Sequence, residues 1–204
     1  LFGNEIKWPI RYLFITPCGP KEKKTVNVVF KSIFLALALG LSLGCGEPGA
    51  QVGKPKLYSK DGVTFSYPGN WKVAEDSHQP GFRYIIVETP GDAILGIHIY
   101  PEALAMGLKE YAQWYADDTS KALPIGRITT SAFAPTRMSG EFEMIKEEFS
   151  ISLLGETIPH TRHFRRKQTG SEVCYLTSQV ASEDYLKASP GFDQIVNSFT
   201  YRTP

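Results

Sequence analysis

The densest group of chemistry-bearing side chains in this 204-residue sequence is "RHFRRK", residues 162–167, a basic run that suggests an anionic ligand. Histidines are the next candidates, because a neutral imidazole ligates metals and titrates near neutral pH. His160 and His163 stand in a strand-like stretch at a spacing that points them to opposite faces, so they cannot share one ion. His98, inside "ILGIHIY", is expected to be a buried, hydrogen-bonded imidazole, and His78 to sit with Asp76 in an exposed turn. No local spacing of ligands matches a metal site, and no cofactor is expected. Among nucleophiles, "GLSLG" at 40–44 matches the letters of a nucleophile elbow, which requires a strand before it and a helix after it. Cys174, between Val173 and Tyr175, reads as a small buried hydrophobe, not a reactive thiolate. Nothing here assembles a catalytic set; the chain is read as no enzyme, and a hydrolase ranks last.

The elements that must position these groups follow from periodicity. Residues 141–153 and 156–168 read as a long hairpin around a two-residue loop, Leu154-Gly155. That register sets Glu143 opposite Arg166, Ile145 opposite Phe164 and Glu147 opposite Arg162. On the other face it sets Lys146 opposite His163 and Glu148 opposite Thr161. Opposite charges across a strand pair contribute roughly 0.2–1 kcal/mol each, so the basic run is expected to be matched mainly within the hairpin. Arg165 and Lys167 face Met144 and Phe142 and keep no acidic partner, which makes them candidate interaction residues.

Elsewhere, "VTFSYPGNWKV" (63–73) reads as a strand, a tight turn at Pro68-Gly69 and a second strand. "FRYIIVET" (82–89) and "AILGIHIY" (93–100) flank "PGD" as a hairpin, and residues 127–134 and 171–180 read as further strands. Apolar residues at helical spacing predict a helix over 108–123, closed by Pro124. Tyr111 and Tyr115 lie on its apolar stripe. Trp114 falls off it and is expected to face solvent or a partner, a third candidate interaction residue. Residues 189–199 begin with Ser-Pro, as a helix would, and place Phe192, Ile195, Val196 and Phe199 on one face. Strands joined by hairpins with one helix in the middle and one at the end give an antiparallel α+β sandwich.

Composition, 42% hydrophobic and 12% aromatic, suits one globular domain with a short extra segment. Six of the 22 basic and two of the 21 acidic residues precede Cys45, leaving the remainder with a net charge of −3. Such a domain has no global field for a polyanion, so no nucleic-acid partner is expected. The apolar run at 33–44 falls short of the roughly 20 residues of a bilayer span. With Lys31 before it and Gly44-Cys45 at its end it reads as an export signal over 26–44, which removes the "GLSLG" motif. Residues 1–25 fit an over-extended reading frame with Val26 as the start, and 46–56, "GEPGAQVGKPK", read as a flexible tether.

Two resemblances sharpen this picture. "LSLGC" resembles the lipobox of bacterial lipoproteins, with Ser42 departing from the leucine which that family prefers. The resemblance implies cleavage after Gly44 and a diacylglycerol on Cys45, a stable membrane anchor once several acyl chains insert. Gly46, where aspartate marks inner-membrane retention, implies the outer membrane, facing the periplasm. "FSYPGNW" and "GFDQIVNSF" resemble the PsbP-like (DcrB-like) family over roughly residues 57–204. That resemblance implies an α/β/α sandwich around a mostly antiparallel sheet, and an accessory, assembly or binding role without a shared catalytic constellation. The expectation is therefore an envelope lipoprotein with a protein partner. A small-ligand, lipid or metal-binding envelope protein is the alternative.

Overall fold

A loop of Leu154 and Gly155, both at positive φ (52° and 91°), closes the longest hairpin, as a two-residue turn of the primed type requires. The computed structural model describes residues 48–123 and 126–202. Residues 1–25, the 26–44 segment and Cys45 lie outside the described residues. In chain order the strands are β1 (Lys56–Lys60), β2 (Val63–Tyr67), β3 (Lys72–Gln79), β4 (Phe82–Glu88) and β5 (Ile94–Pro101). Then come helix α1 (Leu108–Ala122), β6 (Arg127–Phe133), β7 (Arg137–Ser139), β8 (Phe142–Leu153), β9 (Glu156–Thr169) and β10 (Glu172–Ala181). Helix α2 (Tyr185–Ser198) and the short β11 (Thr200–Tyr201) end the chain. No helix among the described residues is long and apolar enough to cross a membrane.

All strand pairs are antiparallel and fall into two sheets. The larger has eight strands in the order β3-β4-β5-β10-β9-β8-β6, with β7 also on β8; the smaller has three, β1-β2-β11. The β8–β9 register is the expected one, with Glu143 opposite Arg166, Ile145 opposite Phe164 and Glu147 opposite Arg162. The 82–89 and 93–100 hairpin is also present, as β4–β5.

The strand, turn and strand over 63–73 are present; β2 pairs with β1 and β11, while β3 pairs with β4, so the turn passes the chain between sheets. Three expectations need correction. Asp76 and His78 are not in an exposed turn: both lie within β3, and the Asp76 side chain is only 11% exposed. Helix α2 starts at Tyr185, not Ser189, and takes Pro190 into its body. The carbonyl that Pro190 leaves unpaired belongs to Leu186, an 84% exposed residue at which water can replace the lost N–H. Finally, residues 49–54 are not a free tether. The Ala50 N–H donates to the Lys187 carbonyl (3.0 Å), Gly69 N–H to the Gln51 carbonyl (3.2 Å) and Gln51 N–H to Asn70 Oδ1 (2.9 Å). The ordered domain thus begins ahead of Leu57.

Alternation along β10 assigns the two helices to different cores. Cys174 and Leu176 enter a cluster with Ile97, Phe65, Ile195 and Phe199 of β5, the small sheet and the α2 region. Val173 and Tyr175 join Leu108, Tyr111 and Tyr115 of α1 with Ile145 and Phe164. The two sequence motifs that resemble PsbP-like proteins meet in the first core. Trp71, 2% exposed, packs edge-on to Phe192 at 5.3 Å. A Cβ on Gly191 would lie 2.5 Å from the Trp71 ring and 2.8 Å from Pro68 Cγ, so only glycine lets the helix approach this closely.

A polar clamp ties β1 to the large sheet. Arg83 Nε donates to Asp76 Oδ1 (2.8 Å), and its Nη2 to Asp76 Oδ2 (3.1 Å) and the Tyr58 hydroxyl (3.0 Å). Asp76 also accepts from Tyr58 and from Lys60, each at 2.7 Å. Burial alone would raise the Asp76 pKa, but hydrogen bonds from Arg83, Lys60 and Tyr58 outweigh it and hold the carboxyl well below its ordinary 3.8. Because the folded pKa is depressed, this stabilisation is complete above the unfolded value and lost as pH falls through the folded one.

Two outcomes follow from these contacts. Gly191→Ala is expected to lower unfolding free energy by about 1–3 kcal/mol in urea titrations, and a wild-type midpoint would show that the helix can retreat from Trp71. In the wild type, stability is expected to decline below about pH 4. Asp76→Asn should start lower and show a shallower decline over the same acid range; parallel acid limbs would mean that another carboxylate governs it.

Candidate functional site

Beneath α1 the hairpin carries a buried ion pair. Arg162 and Glu147 are both fully buried, with Nη1 to Oε2 at 2.9 Å. Arg162 Nε and Nη2 donate to Gln179 Oε1 at 2.9 and 2.6 Å, and Ser131 Oγ donates to Glu147 Oε1 at 2.8 Å. The guanidinium lies 4.4 Å from the Phe149 ring centre and 5.1 Å from that of Tyr115. Alongside it, His98 Nδ1 and the Tyr111 hydroxyl form a 2.7 Å hydrogen bond, and burial brings the imidazole down to about 4, so it is neutral at physiological pH. These groups are matched to one another and turned inward, where they shape the core beneath α1.

The surface over this core is an open groove of about 820 Å³ along α1. Trp114 forms part of its wall, together with Glu110, Gln113 and Asp117 of the helix, Thr136, and Glu143 of β8. Trp114 is half-buried, with one side of the ring on the groove. Its inner side touches Tyr111 (5.9 Å) and Tyr115 (6.5 Å), and Tyr111 stacks on Tyr175 at 3.9 Å. The ring is therefore the outer end of an aromatic column, with few rotamers to lose on binding. Lys109 is the only cation among the lining residues, against three carboxylates, and Arg166 reaches Glu143 at 3.5 Å.

Strand alternation separates the other sequence candidates from Trp114. Arg162, Phe164 and Arg166 belong to the α1 side, whereas His163, Arg165 and Lys167 belong to the α2 side. The structure thus brings Arg166, not Arg165 or Lys167, near the groove. Lys167 has an acidic partner after all, Glu141, which lies beyond the end of β8 where hairpin register could not reveal it. Arg165 is 7% exposed, which corrects its placement on an open surface, and its Nη1 donates to Ser178 Oγ at 3.2 Å. Cys174 is free and fully buried, with burial pushing its thiol up to about 12. Among the described residues no group of three or more His, Cys, Asp and Glu side chains could hold a metal. The sequence reading missed the Arg83–Asp76 clamp, whose members lie on neighbouring strands in a register shifted by a bulge.

The chain is loosely similar in backbone to several solved structures. One is a cyanobacterial PsbP from Synechocystis sp. PCC 6803, at 14% identity and a TM-score of 0.47 over 80% of this chain and 99% of that one. Another is LpqN of Mycobacterium tuberculosis, described as involved in cell envelope biogenesis, at 15% identity and a TM-score of 0.36 over 74% of this chain and 90% of that one. A protein of unknown function from Pseudomonas aeruginosa matches at 13% identity and a TM-score of 0.37, covering 74% of this chain and 100% of its own. No protein-family model matches the chain, and no curated protein matches it in sequence.

The buried pair makes a direct prediction. Glu147→Gln keeps the shape but leaves the Arg162 charge without a counter-charge in the core, and is expected to cost about 3–5 kcal/mol in denaturant titrations. A loss below about 1 kcal/mol, the range of a surface pair, would show that water reaches the guanidinium.

Proposed function

We propose that this chain is an envelope lipoprotein, anchored by lipid on Cys45 in the outer membrane and facing the periplasm. In this reading it carries a PsbP-like α/β/α sandwich, which acts without catalysis as a binding or assembly accessory. The observation that carries the binding role is the Trp114 groove: a half-buried indole, backed by stacked tyrosines, beside a rim rich in carboxylates. Aromatic side chains fixed in this way supply contact area at low entropic cost and are enriched at interfaces. The rim favours a protein partner that presents lysine or arginine beside an apolar residue, since complementary charge steers encounter and fixes register. Nothing in this groove suits a nucleic acid, whose phosphates the carboxylates would repel.

The test is crosslinking of the membrane-anchored protein in intact envelopes, read by mass spectrometry. Glu110→Lys with Asp117→Lys reverses two exposed charges of the rim, so the unfolding midpoint should stay near wild type. The wild type is expected to yield a reproducible partner crosslinked beside Trp114, and the double variant to lose it. Wild-type crosslinking yield from the double variant would remove the groove from consideration.

A further inference from the structure

On the opposite side of the large sheet, Arg165 breaks the rule that the other buried guanidiniums obey. Arg83 is matched by Asp76 and Arg162 by Glu147, each at hydrogen-bond distance. Arg165 is as buried as Arg83, at 7% against 6% exposure, yet no carboxylate of the described residues pairs with it. Its Nη1 reaches only the Ser178 hydroxyl, and its Nε is enclosed without any partner. A buried charge left in this state destabilises the fold, and nothing about the β9 backbone requires arginine there.

Two further cations, Arg137 and Lys146, lie on its face. Strand register places Arg137, Met144 and Arg165 in one row across β7, β8 and β9. Lys146, His163 and Ser178 form a row across β8, β9 and β10 on the same face. Arg137 is exposed at the sheet edge, and the His163 ring lies 5.9 Å from that of Tyr185 on α2. His163 is held down at about 4, first by burial and then by the charges of Arg165, Lys146 and Arg137. Glu148 neutralises Lys146 at 2.6 Å, and Asp193 of α2 acts on Arg165 without forming an ion pair, so the charge left unmatched on this face is that of Arg165.

We infer that Arg165, with Arg137, His163 and the Ser178 hydroxyl, forms a binding site for a phosphate group on the α2 side of the β8–β9 hairpin. A tetrahedral oxyanion supplies both the acceptors and the counter-charge that Arg165 lacks. Arg137, exposed at the β7 edge, is the member of the set that solvent reaches directly. The phosphate is either free, as an inorganic ion or soluble ester, or the headgroup of a phospholipid. The site is independent of the Trp114 groove, because the sheet lies between them.

The test uses the full chain in sodium phosphate and in sodium chloride at matched ionic strength, with thermal unfolding and titration calorimetry. In phosphate the wild type is expected to show a saturable rise in melting temperature beyond that in chloride. Arg165→Met, of similar length and without charge, is expected to melt higher than wild type in chloride. Its phosphate affinity should fall at least about tenfold, the effect of losing a charged hydrogen-bond partner. Arg137→Gln, at an exposed position, should melt as wild type in chloride yet bind phosphate more weakly. Flotation with phosphatidylglycerol vesicles, against phosphatidylcholine alone, separates the sources. Binding that weakens in Arg165→Met assigns a lipid headgroup, and phosphate binding without it assigns a soluble ligand. The inference is overturned if the wild type shows neither a phosphate-specific shift nor Arg165-dependent vesicle binding. It is equally overturned if Arg165→Met melts below wild type in chloride, which would make the guanidinium structural.

Discussion

The hairpin of β8 and β9 can be built in only one register because Arg162 and Glu147 are buried together. Taking both charges out of water is costly, and the cost is offset only where the hydrogen-bonding groups are met. Gln179 from β10 and Ser131 from β6 do this from the two flanking strands, so four consecutive strands of the sheet meet at one pair. A slip of one residue would turn the arginine to the opposite face and leave the carboxylate alone. The rings of Phe149, Tyr115 and Phe164 around the guanidinium then fix where α1 lies. The helix position in turn sets Trp114 at the surface, so the groove is a remote consequence of a pair that touches no solvent.

The other face is organised differently. There the packing mixes aliphatic and aromatic side chains and depends on close approach, with Gly191 of α2 against Trp71 and Pro68. Each of the two short motifs contains atoms of this contact, Pro68 and Trp71 in one and Gly191 and Phe192 in the other. The Arg83–Asp76 clamp does for the small sheet what the buried pair does for the hairpin, holding β1 and the Lys60-Asp61 turn against β3 and β4. In both places a guanidinium joins segments that hydrophobic contact alone would leave able to slide.

Local patterns made much of this legible. The turn chemistry at Leu154-Gly155 fixed the hairpin register, and the spacing of Leu108, Tyr111, Ala112 and Tyr115 marked α1 and its inner face. The cross-strand match of Glu147 to Arg162 was readable too, but its burial was not, because a hairpin seen alone does not show the helix that covers it. The turn at Pro68-Gly69 looks the same whether the next strand pairs back or crosses to another sheet, since the choice depends on β4 and β11. Residues 49–54 carry Gly and Pro as a tether would, and only the helix carbonyl at Lys187 and the side chain of Asn70 distinguish a docked segment from a loose one. Trp114 was identified as off the apolar stripe, yet its aromatic neighbours are supplied by the same helix and by β10, which turns an exposed ring into a half-buried one.

A single strand carries both surfaces of interest. Along β9 the residues alternate between cores: Arg162, Phe164 and Arg166 serve the α1 side, and His163, Arg165 and Lys167 the α2 side. The run that reads as one basic patch is therefore two sets of charges with different environments. On one side each cation has a carboxylate from β8, so the charges are consumed in building the sheet. On the other, Lys167 is neutralised by Glu141 at the hairpin's open end, which leaves Arg165, beside a neutral His163, as the uncompensated part of the row. Substitution at an odd-numbered position can change that centre while leaving the groove intact, and the reverse holds at even positions. The period of two that gives a strand its faces thus keeps the two surfaces chemically separate while the backbone holds them about one sheet thickness apart.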